Sequence, residues 1–536
     1  MESGRSEELY ELIQVAVAFG ASIVFNDKNT TSFEEMFPRP SRDEFRRRFI
    51  SLAFEKWREE IKKFSRLKYC CLAVDAGTTR RTSYLDFVLH HSVMGYSYIF
   101  HTLKMNGTGN AKNYCDALSK GILMAAKSKC TPSTIIVDGQ SGQNKALTKG
   151  DPESIYALRY ANDASEHIKR SYKVMKQIIK VPCLCHRVSN AYKSAILTNR
   201  DINNLLKKFR ESANFIKSSQ TIDFSSPTFI DTRWLYDFDI ISYFFNKKDK
   251  INEVLLSNGK NTFSDDEYFL VYRIVEVFRA LVNILSDPKT RLSSAFPLIE
   301  GASETLEEIA NQSTGLRKAF ALDAKKKLLA YTLNSKNGGL WFLAYSLTPT
   351  GLQDVLMRNK GRKERSTSED FKVVSKKSIK VLEDEASDYE IKQVNDQFFD
   401  CDEMPDELDI ITSNASGLIE KAVEALKYIA NILDFPKTRV DNLLSSYDLF
   451  ISGYITELID NKTMDLFNWT TLVEKEELSD LADIALRLEP ATCSEASAER
   501  AISCQRLIME LRRDTAKQEL RDARLIYMRT KKADSK

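Results

Sequence analysis

The stretch Tyr69-Cys-Cys-Leu-Ala-Val-Asp75 is the best guide to the fold of this chain. A short apolar run that ends at an aspartate predicts a buried strand, with the carboxylate at the rim of a sheet. The same pattern returns in Thr134-Ile-Ile-Val-Asp138. The sequence therefore predicts two buried strands that each deliver an aspartate to a sheet edge.

The segments around these two runs indicate one α/β core. The remaining strands are predicted at 83–90, 96–103 and 180–184. Helices are predicted at 112–127, near 152–178 and at 186–196. Three consecutive strands followed by alternating helices and strands favour a mixed sheet flanked by helices.

Helical patterns replace the strand signal from about residue 240 to 485, most clearly at 265–285 and 413–433. Residues 358–409 interrupt them with a basic half and then an acidic half, which is typical of a mobile, solvated loop. Four regions are therefore predicted. They are an N-terminal helical region (1–66), the first part of the core (67–240), an all-α region containing the loop (241–485) and C-terminal core helices (486–536).

Bulk composition narrows the class of protein. The chain has 536 residues and a net charge of +3, so any nucleic-acid surface must come from local basic patches. Nine cysteines at irregular spacing do not resemble a secreted disulfide framework. The longest early apolar run, 15–25, is too short to cross a bilayer, and no signal-peptide core is evident. We expect an intracellular protein that is not inserted in a membrane.

Asp75 and Asp138 are candidate metal ligands. If their strands are neighbours, the two carboxylates can share Mg²⁺, which prefers oxygen ligands. A third acid would complete a two-metal site of the kind that cleaves phosphodiesters. On spacing alone, aspartates that cap loops or helices are the commoner explanation.

Five blocks of the sequence resemble, in order and in spacing, those of the hAT transposases (the hobo and Activator group). The second block has Asp138 followed by a small polar turn and Asn144, and the last reads Ser497-Ala-Glu499-Arg-Ala-Ile-Ser503. Each block alone is weak, but their shared order is specific. The blocks lie at 72–91, 135–147, 182–190, 231–234 and 491–503.

This resemblance implies an RNase H-like core interrupted by a large all-α insertion domain. It implies that Asp75, Asp138 and Glu499 bind Mg²⁺ (or Mn²⁺) as the catalytic site. Arg233 and Trp234 would contact a phosphate and an extruded base. It also implies DNA partners (transposon ends and target), a homo-oligomer formed through the C-terminal region, and a nuclear location.

The chain departs from the family pattern at several positions. Ala76-Gly77 replaces the usual Gly-Trp, and Ala498 and Ile502 replace the usual Ser and Phe around Glu499. No Cys pair of an N-terminal zinc finger precedes Cys70. All three carboxylates are present, so the departures do not argue against catalysis.

Cys183 and His186 match the Cys-x-x-His block of the family. Tetrahedral zinc needs four ligands, usually as two spaced pairs, and no second pair is evident. The sequence therefore predicts a structural motif that acts through hydrogen bonding and packing.

The resemblance favours metal-dependent DNA strand cleavage and transfer. In that family a water and then a DNA hydroxyl attack the phosphodiester, and hairpins remain on the flanking DNA. The alternative is a domesticated, non-catalytic regulatory protein that binds DNA or dimerises on the same fold, because fold does not settle function. A third interpretation is a dimerising interaction protein with no DNA role.

Overall fold

The described strands of the chain form one five-stranded mixed sheet in the order β3-β2-β1-β4-β5. β2 pairs antiparallel with both β1 and β3. β4 pairs parallel with β1, and β5 pairs parallel with β4. The apolar runs of β1 and β4 are fully buried, as expected for strands that are covered on both faces. The bounds are β1 Cys70–Thr79, β2 Thr82–His91, β3 Tyr96–Lys104, β4 Pro132–Val137 and β5 Ile179–Pro182.

The computed structural model describes most, but not all, of the chain. Residues 1–50 of the predicted N-terminal region (1–66) lie outside the described residues, as do most of the charged loop and the C-terminal part of the predicted dimerisation region. The described residues are 51, 54, 55, 57–79, 82–105, 110–138, 141–161, 165–218, 236–335, 337–359, 415–451 and 469–501.

Five helices of the described chain accompany the sheet in sequence. The helix predicted at 112–127 is confirmed as α1, whose N-terminus is capped by Asn110. The segment predicted near 152–178 contains two helices, α3 and α4, because Ser165 caps a new helix start. The bounds are α1 Ala111–Lys127, α2 Ser141–Leu147, α3 Ile155–Leu158, α4 Glu166–Met175 and α5 Leu184–Thr198.

The described regular elements between 200 and 488 are helical. The first seven are α6 Arg200–Ser218, α7 Tyr236–Asn246, α8 Lys248–Ser257, α9 Asp265–Ser286, α10 Ala295–Asn311, α11 Gly315–Tyr331 and α12 Gly338–Ser346. The others are α13 Pro349–Asn359, α14 Ala415–Ile432, α15 Lys437–Leu449, α16 Trp469–Leu472 and α17 Ser479–Leu488, with short 3₁₀ turns at Leu292–Ser294 and Glu476–Leu478.

These helices share a continuous buried core with the sheet. Cys71, Ile136 and Val181 of the sheet belong to the same buried cluster as Phe278 of α9 and Leu426 of α14. Ring contacts extend it, as between Tyr192 and Phe278, whose centroids lie 5.4 Å apart. The helical region therefore shares one core with the sheet, reached through α5 and through α17, which packs against β4.

Two boundaries differ from the sequence prediction. β1 does not end at Asp75, because Asp75 to Thr79 remain paired with β2 in a long hairpin. Arg358, placed in the mobile loop by its charge, is instead helical in α13 and forms an ion pair with Glu300 at 2.7 Å. None of the helices in the described part of the chain combines the length and apolar character that a membrane span requires.

Candidate functional site

Asp75 and Asp138 lie on adjacent parallel strands. Val74 of β1 is in register with Val137 of β4, so the aspartate that follows each valine lies at the same level of the sheet. Both side chains are nearly buried, Asp75 at 8% and Asp138 at 6% exposed. Asp138 acts electrostatically on Asp75, which places the two carboxylates close together.

Asp75 occupies the middle of its strand rather than the end. Its Oδ1 accepts a hydrogen bond from the backbone N–H of Ala76 at 2.7 Å. On the other side of β1, Asp75 is in register with Asp86 of β2, which is fully buried. A row of three aspartates therefore crosses β2, β1 and the end of β4.

Glu499 reaches this row from the far end of the chain. It lies on the Glu499 helix (496–501), which packs on the sheet through small side chains. Ala498 and Ala501 form a buried cluster with Ala73, Val88 and Ile99 of the first three strands. Alanines on both sides of the contact let the helix approach the sheet closely. The negative charge of Glu499 contributes to the raised pKa of Asp75.

The segment before this helix, 489–495, is held by backbone hydrogen bonds to three distant parts of the chain. Ser92 N–H donates to Pro490 O at 3.1 Å, and Leu292 N–H donates to Ala491 O at 3.0 Å. Leu184 N–H, at the start of α5, donates to Cys493 O at 2.9 Å. These bonds fix where the Glu499 helix begins relative to the strands.

Glu495 is a fourth acid of the site, and the sequence did not single it out. Its side chain is fully buried, and its negative charge also raises the pKa of Asp75. Its Oε1 lies 2.7 Å from Nδ1 of His186 in the first turn of α5. The signal in the sequence was its position four residues before Glu499, whose N–H donates to Glu495 O at 3.2 Å at the start of the Glu499 helix.

The electrostatics of the cluster are unusual for a protein interior. Burial, and then the negative charges of Asp138, Glu495 and Glu499, raise the pKa of the Asp75 carboxyl well above its ordinary value. Burial lowers the pKa of His186, but attraction to Glu495 and a hydrogen bond with Cys183 outweigh it, so the His186 pKa is raised. The site concentrates negative charge that one imidazolium only partly offsets.

Tyr114 and Gln143 are buried neighbours of the two aspartates. Both side chains are buried, and Gln143 of α2 lies at hydrogen-bonding distance from the Tyr114 hydroxyl of α1. Burial and the nearby charges of Asp138 and Asp75 raise the pKa of Tyr114. The hydroxyl is therefore kept neutral beside the acids.

Cys183 and His186 lie where β5 passes into α5. Cys183 is the N-cap residue of α5, and its N–H donates to Val137 O at 2.9 Å, next to Asp138. Burial is the main cause that raises the pKa of the Cys183 thiol. The Cys183 thiol and the His186 ring lie close together, and the 2.7 Å contact between His186 Nδ1 and Glu495 Oε1 connects this pair to the carboxylate cluster.

Arg233 and Trp234, predicted to contact DNA, lie outside the described residues, as do residues 502–536 of the predicted dimerisation region. The structure therefore places Asp75 and Asp138 at the same level of neighbouring strands, with Glu499 and Glu495 near enough for their charges to raise the pKa of Asp75. No protein-family model matches this chain, and a search of curated proteins finds no similar sequence. Its function is therefore argued from the geometry of the site.

Proposed function

We propose that this chain is a hAT-type DNA transposase, or derives from one, and cleaves and transfers DNA strands with a metal-dependent Asp-Asp-Glu site. The observation that carries the proposal is the convergence of three acids from separate parts of the sequence. Asp75 and Asp138 lie on adjacent strands, and Glu499 acts on Asp75 from a helix near the other end of the chain. Charged groups seldom gather in a protein interior without a function.

The fold is compatible with this proposal. A mixed sheet with β1 and β4 adjacent, followed by a long helical stretch and a final helix that returns to the sheet, suits an RNase H-like core with an all-α insertion. On this interpretation the insertion separates residues 67–240 from residues 486–536. The acids of the site come from both sides of it.

The donor set fits a hard divalent cation. Asp75, Asp138 and Glu499 offer carboxylate oxygens, which are the ligands that Mg²⁺ and Mn²⁺ prefer. The negative charges of Asp138 and Glu499 repel that of the buried Asp75 carboxylate, and a cation would offset this repulsion. An Mg²⁺ ion held by these residues would lower the pKa of a bound water and offset charge on a scissile phosphate.

The surrounding residues restrict how the acids can move. β1 and β4 hold two of the carboxylates on a rigid sheet, and the packing of Ala498 and Ala501 holds the third. We place Arg233 and Trp234 at a phosphate and an extruded base, where an indole can offset the cost of unstacking. Residues 486–536 would form the homo-oligomer contact, and a nuclear location follows from the DNA substrate.

A labelled-duplex cleavage assay with Mg²⁺ or Mn²⁺ tests this proposal. Asp75→Asn, Asp138→Asn and Glu499→Gln each remove one charged ligand with little change in volume. We expect each to reduce nicking by about 100-fold or more while DNA binding, which rests on Lys and Arg contacts to phosphate, persists. Asp116→Asn, on the partly exposed face of α1, is the matched control and should retain wild-type nicking.

Two further outcomes are informative. Trp234→Ala should slow hairpin formation more than the first nick, because only the hairpin step needs an extruded base. If the wild-type chain binds the duplex and does not nick it with either metal, the catalytic proposal fails. The non-catalytic, DNA-binding regulatory protein would then be the better account.

A further inference from the structure

A second group of metal-binding side chains lies beside the carboxylates. Cys183, His186 and Glu495 each offer one ligand atom, and these atoms all lie within 4.8 Å of one another. The Cys183 and Glu495 side chains are buried, whereas the His186 side chain is 31% exposed. The group is therefore closed on the side of the core and accessible on the side of His186.

The fold builds this group from two separate segments. Cys183 is the N-cap residue of α5 and His186 lies three residues later in its first turn, with the ligand atoms of the two side chains within 4.8 Å of each other. Glu495 comes from the segment that is hydrogen-bonded to α5 through Leu184 N–H and Cys493 O at 2.9 Å. That bond sets the distance between the Cys-x-x-His pair and the glutamate.

We propose that Cys183, His186 and Glu495 bind one Zn²⁺ ion and leave a fourth coordination position open beside His186. A thiolate, an imidazole and a carboxylate together suit zinc, whereas Mg²⁺ takes oxygen ligands almost exclusively. Three protein ligands with an open fourth position are the pattern of zinc sites that bind water or substrate. The sequence alone argued against zinc because it shows no second Cys or His pair, and the third ligand is a lone glutamate.

The distances suit a metal-free form that closes on itself. The His186 nitrogen and the Glu495 oxygen are 2.7 Å apart, as in a hydrogen-bonded ion pair. Two such ligands of one zinc, with bonds of about 2.0–2.1 Å in a tetrahedron, lie roughly 3.3 Å apart. Zinc binding therefore requires these two side chains to separate by about half an ångström, and it releases protons because the ligands of zinc must be deprotonated.

An ion pair alone explains less of the arrangement. It accounts for His186 and Glu495, whereas the Cys183 thiol contributes only a hydrogen bond to His186. A zinc ion would use all three groups. It would also add positive charge near Asp75, whose pKa is raised by Glu495 and lowered by His186. This proposal does not depend on DNA cleavage.

In the test, Zn²⁺ is added to the full chain, which is then dialysed against a chelator. We expect elemental analysis to find about one equivalent of Zn²⁺ still bound to the wild-type chain. Co²⁺ in its place should give a thiolate-to-cobalt charge-transfer band in the near ultraviolet. Cys183→Ser should remove that band, and His186→Gln should weaken zinc binding by about tenfold or more.

Cys130→Ser is the control, because Cys130 is also buried but lies outside the group. It should keep both the zinc and the cobalt band.

Wild type that retains less than about a tenth of an equivalent of zinc would overturn the proposal, as would a cobalt band that survives in Cys183→Ser. If Cys183→Ser does not fold, two measurements still test the proposal. They are the zinc stoichiometry of wild type and the zinc affinity of His186→Gln, which changes a partly exposed position. No arm of the test contains DNA, so its failure is distinct from failure of the proposed nuclease.

Discussion

At the scale of single residues, Asp75 is held where a carboxylate is costly. It is nearly buried, and burial, followed by the charges of three other acids, raises its pKa. Groups that destabilise the protein in this way persist at functional sites because their interactions serve ligand binding rather than folding. The cost should therefore be measurable when no cation is present.

Asp75→Asn should make the metal-free protein more stable. The amide keeps an oxygen that can accept the hydrogen bond from Ala76 N–H, but it removes a buried charge that its neighbours repel. We expect the free energy of unfolding in EDTA to rise by on the order of 1 kcal/mol. Urea denaturation of the two proteins, followed by circular dichroism, measures this difference.

Added Mn²⁺ provides the complementary arm of that experiment. A cation that binds only the folded protein stabilises it, so wild type should gain stability with Mn²⁺ and Asp75→Asn should gain much less. A variant that is less stable than wild type in EDTA would show that Asp75 serves the fold. It would then count against a metal-binding role.

At the scale of elements, α1 lies close to β2 because Gly121 faces Phe87. A Cβ on Gly121 would lie 2.3 Å from the Phe87 ring, well inside van der Waals contact. The helix and strand therefore fix each other's position. β2 is in turn paired with β1, which carries Asp75.

Gly121→Ala should destabilise the protein by about 1–3 kcal/mol, because Phe87 or α1 must move to admit the methyl group. Gly301→Ala is the matched control, since Gly301 is also helical but a Cβ added to it would have no described atom within 4 Å apart from its chain neighbours and the backbone of its own helix. That control should instead be stabilising by about 0.5–1 kcal/mol through helix propensity. Equal effects of the two substitutions on the urea midpoint would contradict the close packing of α1 on β2.

Most elements could be predicted from the sequence because each has a local signal. Apolar runs identified the five strands, and helical periodicity identified α1, α5, α9 and α14. The continuation of β1 beyond Asp75 could not be predicted, since Ala76 to Thr79 are not a strand pattern by themselves. Pairing with β2 makes them one.

At the scale of the whole molecule, the site depends on contacts between distant parts of the chain. Asp75 and Asp138 were recognisable because each follows an apolar run. The role of Glu495 was not, because it depends on the hydrogen bond that joins Leu184 to Cys493 and on the contact with His186. Such contacts arise only when the last helix returns to the sheet, and no local pattern records them.

Mn²⁺ binding to the full chain, followed by electron paramagnetic resonance, tests the central claim most directly. We expect Glu499→Gln to weaken the tightest Mn²⁺ site by about tenfold or more, because a ligand from the last helix completes a site that begins on β1 and β4. Glu489→Gln, in the same segment but influenced by Arg291, should bind Mn²⁺ as wild type does. Wild-type affinity in Glu499→Gln would contradict the account, since Glu499 would then not share a cation with Asp75 and Asp138.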